Sequence, residues 1–391
     1  MSVAIVSGGM CVQTKEGNYV RPHDWKGFSM WVPLFKENRL IIQGYKNDTS
    51  PEGWVRLPDD VEVRIMGGYG VSFLARKKAT KKTLSYCLEG VSMLLLRMPS
   101  YPVFWTYEEA VKQNIPVLLE LHGDWEESCR ISARNEGLLR RIFAEFRAIR
   151  ARQADIRVAG TSLGAVTVGP VLAEKYVPED KPVLVSTNHT IDESQYRRRE
   201  RYEINDPPSL LFVGELVERK GLRYFFQSLA DIKKVGHQFE VKLVGDGPQK
   251  EKLRAFADEN GFGDNVHFVG YVPFGESLLE YYRNADIFIL PSIAGEGVPR
   301  AIHEAMSQGC PVIATDIGST KWQLQENAGI VIPSCDVGAL TTSILKVFDD
   351  NESRECMARK AFERSLEFTF EKQTARIAEF VRKYAPENLL Q

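Results

Sequence analysis

The sequence predicts an α/β fold in two halves, each a parallel sheet with helices between its strands. Three observations lead there. The chain has 391 residues, more than one ordinary domain holds, so two domains of roughly 200 are expected. Short unbroken apolar runs recur along it, each followed by glycine or proline and then by helical spacing. The clearest unit, Ile287 to Gly318, reads as strand, loop, helix, strand. Ile287 to Leu290 is the apolar run of a strand buried on both faces, and Pro291 ends it. Gly295 and Gly297 allow a tight loop, Pro299 suits the first turn of a helix, and Gly309 closes that helix before a strand at 311–314.

Hydrophobic residues make up 43% and charged residues 26%, the balance of an ordinary globular protein. A formal net charge of −2 gives no reason to expect nucleic acid as a partner. Cys11, Cys87, Cys129, Cys310, Cys335 and Cys356 are scattered, without Cys-x2-Cys or a Cys/His cluster. That spacing suggests reduced thiols in the cytoplasm rather than disulfides or zinc. No apolar run approaches the ~20 residues of a membrane helix, and the N-terminus reads as a first strand rather than a signal peptide.

In chain order, Val3 to Val6 is the first strand. Gly8-Gly9 follows it, either as a plain turn or as backbone near a phosphate. Met10 to Lys26 has no period and reads as a long loop. Phe28, Trp31, Val32 and Phe35 have helical spacing, so those aromatics belong to the core. Strands follow at 39–43, 61–65, 91–96 and 116–121, with a helix at 107–113. The run Arg76-Lys77-Lys78-Ala-Thr-Lys81-Lys82 is a solvated surface or a basic patch for anionic lipid, which keeps open peripheral contact with a membrane at its inner face. His122 and Asp124 follow a strand's carboxyl end, where ligands bind in open α/β sheets. A histidine there either faces a ligand or caps the strand–loop junction. Leu138 to Gln153 reads as an amphipathic helix with solvent-facing arginines. Arg157–Gly160 and Val183–Ser186 read as the last strands of the first half, with 163–176 mostly helical between them. The charged segment 193–208, which includes Arg197 to Arg201 and ends in Asn-Asp-Pro-Pro, suits a linker. The expected division is 1–205 with 368–391, against 206–367.

Within the 287–318 unit, Glu296 lies in the loop and Glu304 one to two turns into the helix. Ala301, Ile302, Ala305 and Met306 form the apolar stripe, so Glu304 shares the other side with Arg300 and Gln308. An isolated Arg300–Glu304 pair would be a solvated i,i+4 contact. Here the loop glycines and the helix start place both carboxylates beside an anion-binding geometry, and a carboxylate accepts readily from vicinal sugar hydroxyls.

Glu296-Gly-Val-Pro-x4-Glu304-Ala-Met-x2-Gly-x-Pro-Val resembles the Glu-x7-Glu signature of family-4 retaining glycosyltransferases (glycosyl transferases group 1). The resemblance implies a GT-B fold, two Rossmann-like domains facing across a cleft, with the C-terminal helix crossing back to the first. It implies that Glu296 contacts the transferred sugar and Glu304 the ribose, with Gly297 and Val298 among the donor contacts. Gly214-Glu-Leu-Val-Glu-Arg-Lys220-Gly221 is similar to the family's Gly-Arg-Leu-x3-Lys-Gly loop, so Lys220 and Gly214 fall at the donor diphosphate. Glu215 stands where that loop has arginine. A carboxylate facing a diphosphate is repelled, so either Glu215 turns away and Arg219 reaches in, or the clamp is weakened.

By the same resemblance Tyr271 and Val272 neighbour the base and His122 faces the donor sugar, while Gly8 and Gly9 are donor-contact candidates from their place after the first strand. Asn188 to Asp192 resembles an Asn-Gly-Val-Asp turn, and Ser319 and Trp322 stand where the family often has glycine and glutamate. The implied activity is transfer of a sugar from a nucleoside-diphosphate sugar to an unidentified hydroxyl acceptor. No cofactor is implied, and without an Asp-x-Asp sequence no metal is required. Two other readings stay open: a GT-B nucleotide-sugar epimerase, and a non-catalytic nucleotide-sugar-binding homologue.

Overall fold

The computed structural model describes residues 2–67, 72–133, 136–187, 191–200 and 202–391. The 188–190 part of the expected turn and Arg201 lie outside them. The chain divides into two compact units, 1–188 with 374–391 and 189–373. Each is α/β, as expected.

Among the described residues the first unit has nine strands: β1 (Ser2–Gln13), β2 (Asn18–Val20), β3 (Asn38–Lys46), β4 (Val55–Arg56), β5 (Val61–Met66), β6 (Val91–Met98), β7 (Val117–Leu121), β8 (Ala165–Val168) and β9 (Val183–Ser186). Seven run parallel in the order β5-β3-β1-β6-β7-β8-β9. Central β1 is flanked on both edges, and Val3 to Val6 are buried as an apolar central strand requires. The expected loop at Met10–Lys26 is instead structured. β1 continues past a bulge between Ser7 and Met10, because Cys11 and Val12 are apolar enough to stay buried. It then pairs antiparallel with β2, and a helix, Pro22–Ser29, starts on a proline at its first turn. Phe28, Trp31 and Phe35 are core residues, as their spacing predicts. The basic run lies on the helix Phe73–Leu88, where Lys81 meets Glu108 at 3.4 Å.

The expected strand at Arg157–Gly160 is the end of a long helix, Leu138–Thr161. Ala154, Val158 and Ala159 continue that helix's buried face, so the next strand waits until Ala165. The helix packs through small residues, Ala144, Ala148 and Ala151 among them. Its arginines are largely exposed, but so are its bulky apolar residues. At the C-terminus, Arg376 donates to the Val185 carbonyl at 3.2 Å and Gln391 to Phe35 at 2.9 Å, which holds 374–391 in the first unit.

The second unit is a six-stranded, all-parallel sheet: β10 (Ser209–Val213), β11 (Glu240–Val244), β12 (Val266–Gly270), β13 (Ile287–Leu290), β14 (Val312–Thr315) and β15 (Ile330–Ile332). The order is β12-β11-β10-β13-β14-β15. The division between units falls at 188/189 rather than near 205 because the charged segment packs on this sheet. Arg199 donates to the Arg283 carbonyl at 2.9 Å, and the Asn205 amide and side chain bond to Asp286 at 3.2 and 2.8 Å. Asp286 also accepts from the Ser209 amide at 2.7 Å and so ties this segment to the start of β10.

Asp155, inside the long helix, is fully buried, and neither carboxylate oxygen has a hydrogen-bond partner. Burial, and then the Asp124 charge, push its carboxyl up to about 8. A folded pKa above the unfolded one means stability is complete below the ordinary carboxylate range and is lost as pH rises toward about 8. Asp155→Asn removes that loss. Urea midpoints should show the variant gaining on the wild type between about pH 4 and 8, then levelling off. A constant difference across that range would mean the carboxyl titrates normally.

Candidate functional site

In the second unit the strands follow the doubly wound order, and the order reverses between β10 and β13. The loops leaving those two strands diverge there, and the gap between them is where an open α/β sheet accepts a ligand. The two predicted residues Lys220 and Glu296 sit on these loops. Lys220 Nζ donates to Glu296 Oε1 at 2.5 Å, and both side chains are largely buried. Ser292 Oγ donates to the same oxygen at 2.6 Å. Arg219 approaches it at 3.9 Å and contacts the Gly295 carbonyl at 3.5 Å. Glu215 turns outward, its side chain 70% exposed, and bonds Arg219 at 3.3 Å. The Glu215 carboxylate thus points away from Glu296, and Arg219 contacts both carboxylates, Glu215 more closely than Glu296.

Glycines make this close approach feasible. At Gly221, φ is +66° and a Cβ would lie 2.0 Å from the Pro291 carbonyl oxygen, so only glycine lets the Lys220 loop sit on the end of β13. Gly318, φ +60°, would put a Cβ 1.9 Å from the Glu296 carbonyl oxygen. The next residue, Ser319, donates its amide to the Gly297 carbonyl at 2.8 Å. The 318–319 turn thus supports the Glu296–Gly297 loop from behind. Trp322, which differs from the family pattern, packs 5.2 Å from the Phe368 ring.

Glu304 corrects the helical-wheel expectation. It is buried rather than on a solvated side, because helix Arg300–Ser307 is enclosed on most of its surface. The Tyr282 hydroxyl donates to Glu304 Oε2 at 2.8 Å, and Arg300 lies 3.9 Å from Oε1. Burial holds the Glu304 carboxyl above its usual range, and burial together with Glu304 pushes the Tyr282 hydroxyl well up. Pro299 precedes the first helical turn rather than lying in it. Val298 is buried beside the loop. At the end of β12, Tyr271 is 79% exposed and Val272 packs against the core. Gly214 follows β10, and its amide bonds the Val244 carbonyl at 2.9 Å.

In the first unit the order reverses between β1 and β6. A cavity of about 500 Å³ at their carboxyl ends is lined by Gly8, Gly9 and His122, together with Arg97, Asp24 and Gln43. Gly8 and Gly9 form the β1 bulge rather than a turn after the strand. Arg97 and Glu120 face each other across the β6–β7 register and bond at 2.6 and 3.1 Å. His122 opens into the cavity, yet the enclosing protein and then the Arg97 charge hold its imidazole down at about 4. Asp124 serves structure: it caps helix Trp125–Ile131 and bonds Lys175 and Tyr176 at 2.7 and 2.5 Å.

Sequence reading missed Ser292, Tyr282 and the pairing of Arg97 with Glu120. Ser292 adjoins Pro291 and could have been noticed. Tyr282 comes from a different helix, and Arg97 needs the strand register to find Glu120.

Two measurements check this geometry. Gly318→Ala should lower stability by about 1–3 kcal/mol in a thermal or urea melt, whereas Gly297→Ala, with open space at its Cβ, should change it little. An NMR titration should find His122 half-protonated at about 4. Its stabilising contribution is therefore present above the ordinary imidazole range and is lost as pH falls toward about 4.

Residues 194–364 match the family model described as Glycosyl transferases group 1. The alpha-D-kanosaminyltransferase of Streptomyces kanamyceticus is 28% identical over 164 residues, 42% of each protein, so the match spans under half of that relative's length. Across 98% of both chains the structure matches the sucrose-phosphate synthase of Thermosynechococcus elongatus, with a TM-score of 0.71 at 16% identity. The Anabaena protein HepE in complex with UDP-glucose matches with a TM-score of 0.68 at 16% identity, over 98% of this chain and 100% of that one. Those similarities show a shared GT-B fold. The resemblance to the glycosyl transferases group 1 family rests on residues 194–364, under half of this chain.

Proposed function

We propose that the protein is a retaining glycosyltransferase that moves a sugar from a nucleoside-diphosphate sugar to a hydroxyl acceptor. The observation that carries this reading is the Lys220–Glu296 contact at the β10/β13 switch point, eight residues before the buried Glu304. Lys220, with Arg219 beside it, supplies the positive charge that a departing diphosphate needs. Glu296, held by Ser292, accepts from the sugar's hydroxyls, and Glu304, oriented by Tyr282, accepts from the ribose. Tyr271 offers an exposed ring for the base. The solved relative carrying UDP-glucose supports a donor of this class.

In the proposed reaction the bond from the anomeric carbon to the diphosphate oxygen breaks and its electron pair leaves with the diphosphate. The acceptor oxygen bonds the same face of that carbon, and its proton passes to the leaving phosphate oxygen. Two cationic side chains serve the charge-neutralising role, so no metal is invoked.

A thermal-shift panel of uridine, guanosine, adenosine and thymidine diphosphate sugars should single out one donor. A ligand at 100 times its Kd adds about 2.7 kcal/mol. With that donor, Lys220→Ala and Glu304→Ala should each reduce slow donor hydrolysis by at least roughly tenfold, an effect of about 1.4 kcal/mol. EDTA should leave the rate unchanged, and NMR of the product should show the donor's anomeric configuration. An inverted product would refute the retaining assignment, and no shift with any donor would refute the binding site.

A further inference from the structure

The helix Leu138–Thr161 is inside out relative to an ordinary surface helix, whose bulky apolar residues face the core. Its packed face is made largely of small residues: Ala144, Ala148, Ala151, Ala154 and Ala159. Its bulky residues point outward. Leu139 is 83% exposed, Phe143 62% and Phe146 56%, with Leu138, Ile142 and Ile149 exposed beside them. Their spacing of three and four residues places them on one face over the first three turns. A contiguous exposed apolar patch of this kind marks an interaction surface.

The flanking charge identifies what it meets. Arg140 and Arg147 border the patch on one side and Arg141 and Arg152 on the other, and Arg150 lies 5.6 Å from the Phe146 ring. Arg140 is paired with Glu136 at 2.7 Å, while the helix's own acids are engaged elsewhere, Asp155 being buried and Glu145 taken by Arg130 at 2.6 Å. Arginines on both flanks would repel a second copy of the same face. Apolar residues that enter an acyl boundary while arginines reach up to headgroups match an anionic bilayer instead.

We infer that this face of the first unit, residues 138–152, docks the protein in the plane of an anionic membrane. The helix, 24 residues and about 36 Å long, would lie in the interface with its first half inserted. The basic run at 76–82, expected from sequence to meet lipid, lacks such an apolar partner, with Ala79 and Thr80 between its cations. The inference does not depend on the donor or on transfer activity.

The test is flotation of the full chain with vesicles at low salt. Binding is expected to phosphatidylcholine vesicles containing phosphatidylglycerol, and not to phosphatidylcholine alone. Phe143→Ser with Phe146→Ser should reduce partitioning at least tenfold without changing the melt, because both side chains are exposed. Arg141→Gln, Arg150→Gln and Arg152→Gln together should reduce it roughly a hundredfold, since each cation near such a surface contributes about fivefold. Lys78→Gln with Lys82→Gln should have the smaller effect. The inference is overturned if the chain ignores anionic vesicles or if the phenylalanine variant binds as well as the wild type. It is also overturned if light scattering shows a dimer that this variant dissociates, because a second copy would then cover the face.

Discussion

The reversal of strand order in the second sheet is the constraint on which the candidate site depends. A parallel sheet sends every loop off one edge, and only where the order reverses do neighbouring loops part. That point lies between β10 and β13, which carry Lys220 and Glu296. The ion pair between them holds a cation and a carboxylate side by side with little water around either. In the proposed reaction these two charges meet the diphosphate and the sugar. The glycines at 221 and 318 matter because they let backbone oxygens of the neighbouring segments come within what would be Cβ distance.

Around this contact the structure uses burial to orient carboxylates. Glu304 is kept by a tyrosine from a different helix and by Arg300, and Glu296 by Ser292 and Lys220. A buried acceptor with a fixed partner presents its remaining lone pairs in set directions, as hydroxyl recognition requires. The first unit has a comparable pair at its own reversal, Arg97–Glu120, near His122, whose imidazole is held low by the surrounding protein and then by Arg97.

The Leu138–Thr161 helix shows the same chain serving packing and surface at once. Alanines let the helix sit close on its neighbours, and the volume it does not fill with large side chains on the inside reappears as an apolar ridge outside. From sequence, the pattern reads as an amphipathic helix either way. Only contacts with the rest of the unit reveal which face is in.

The sequence by itself determined the α/β class, most of the strands and the Glu296–Glu304 spacing, because apolar runs, glycine and proline punctuation and a fixed motif are local signals. It also placed Lys220 beside a helix start and marked Glu215 as an anomaly. Tertiary structure decided what depends on distant partners. It extended β1 to Gln13, turned Arg157–Gly160 into helix, buried Glu304 and aimed Glu215 outward. It moved the unit boundary to 188, because Arg199 and Asn205 find their acceptors more than 80 residues downstream. Burial and pairing are properties of what packs against a residue, and a local pattern carries no information about which distant segment that will be.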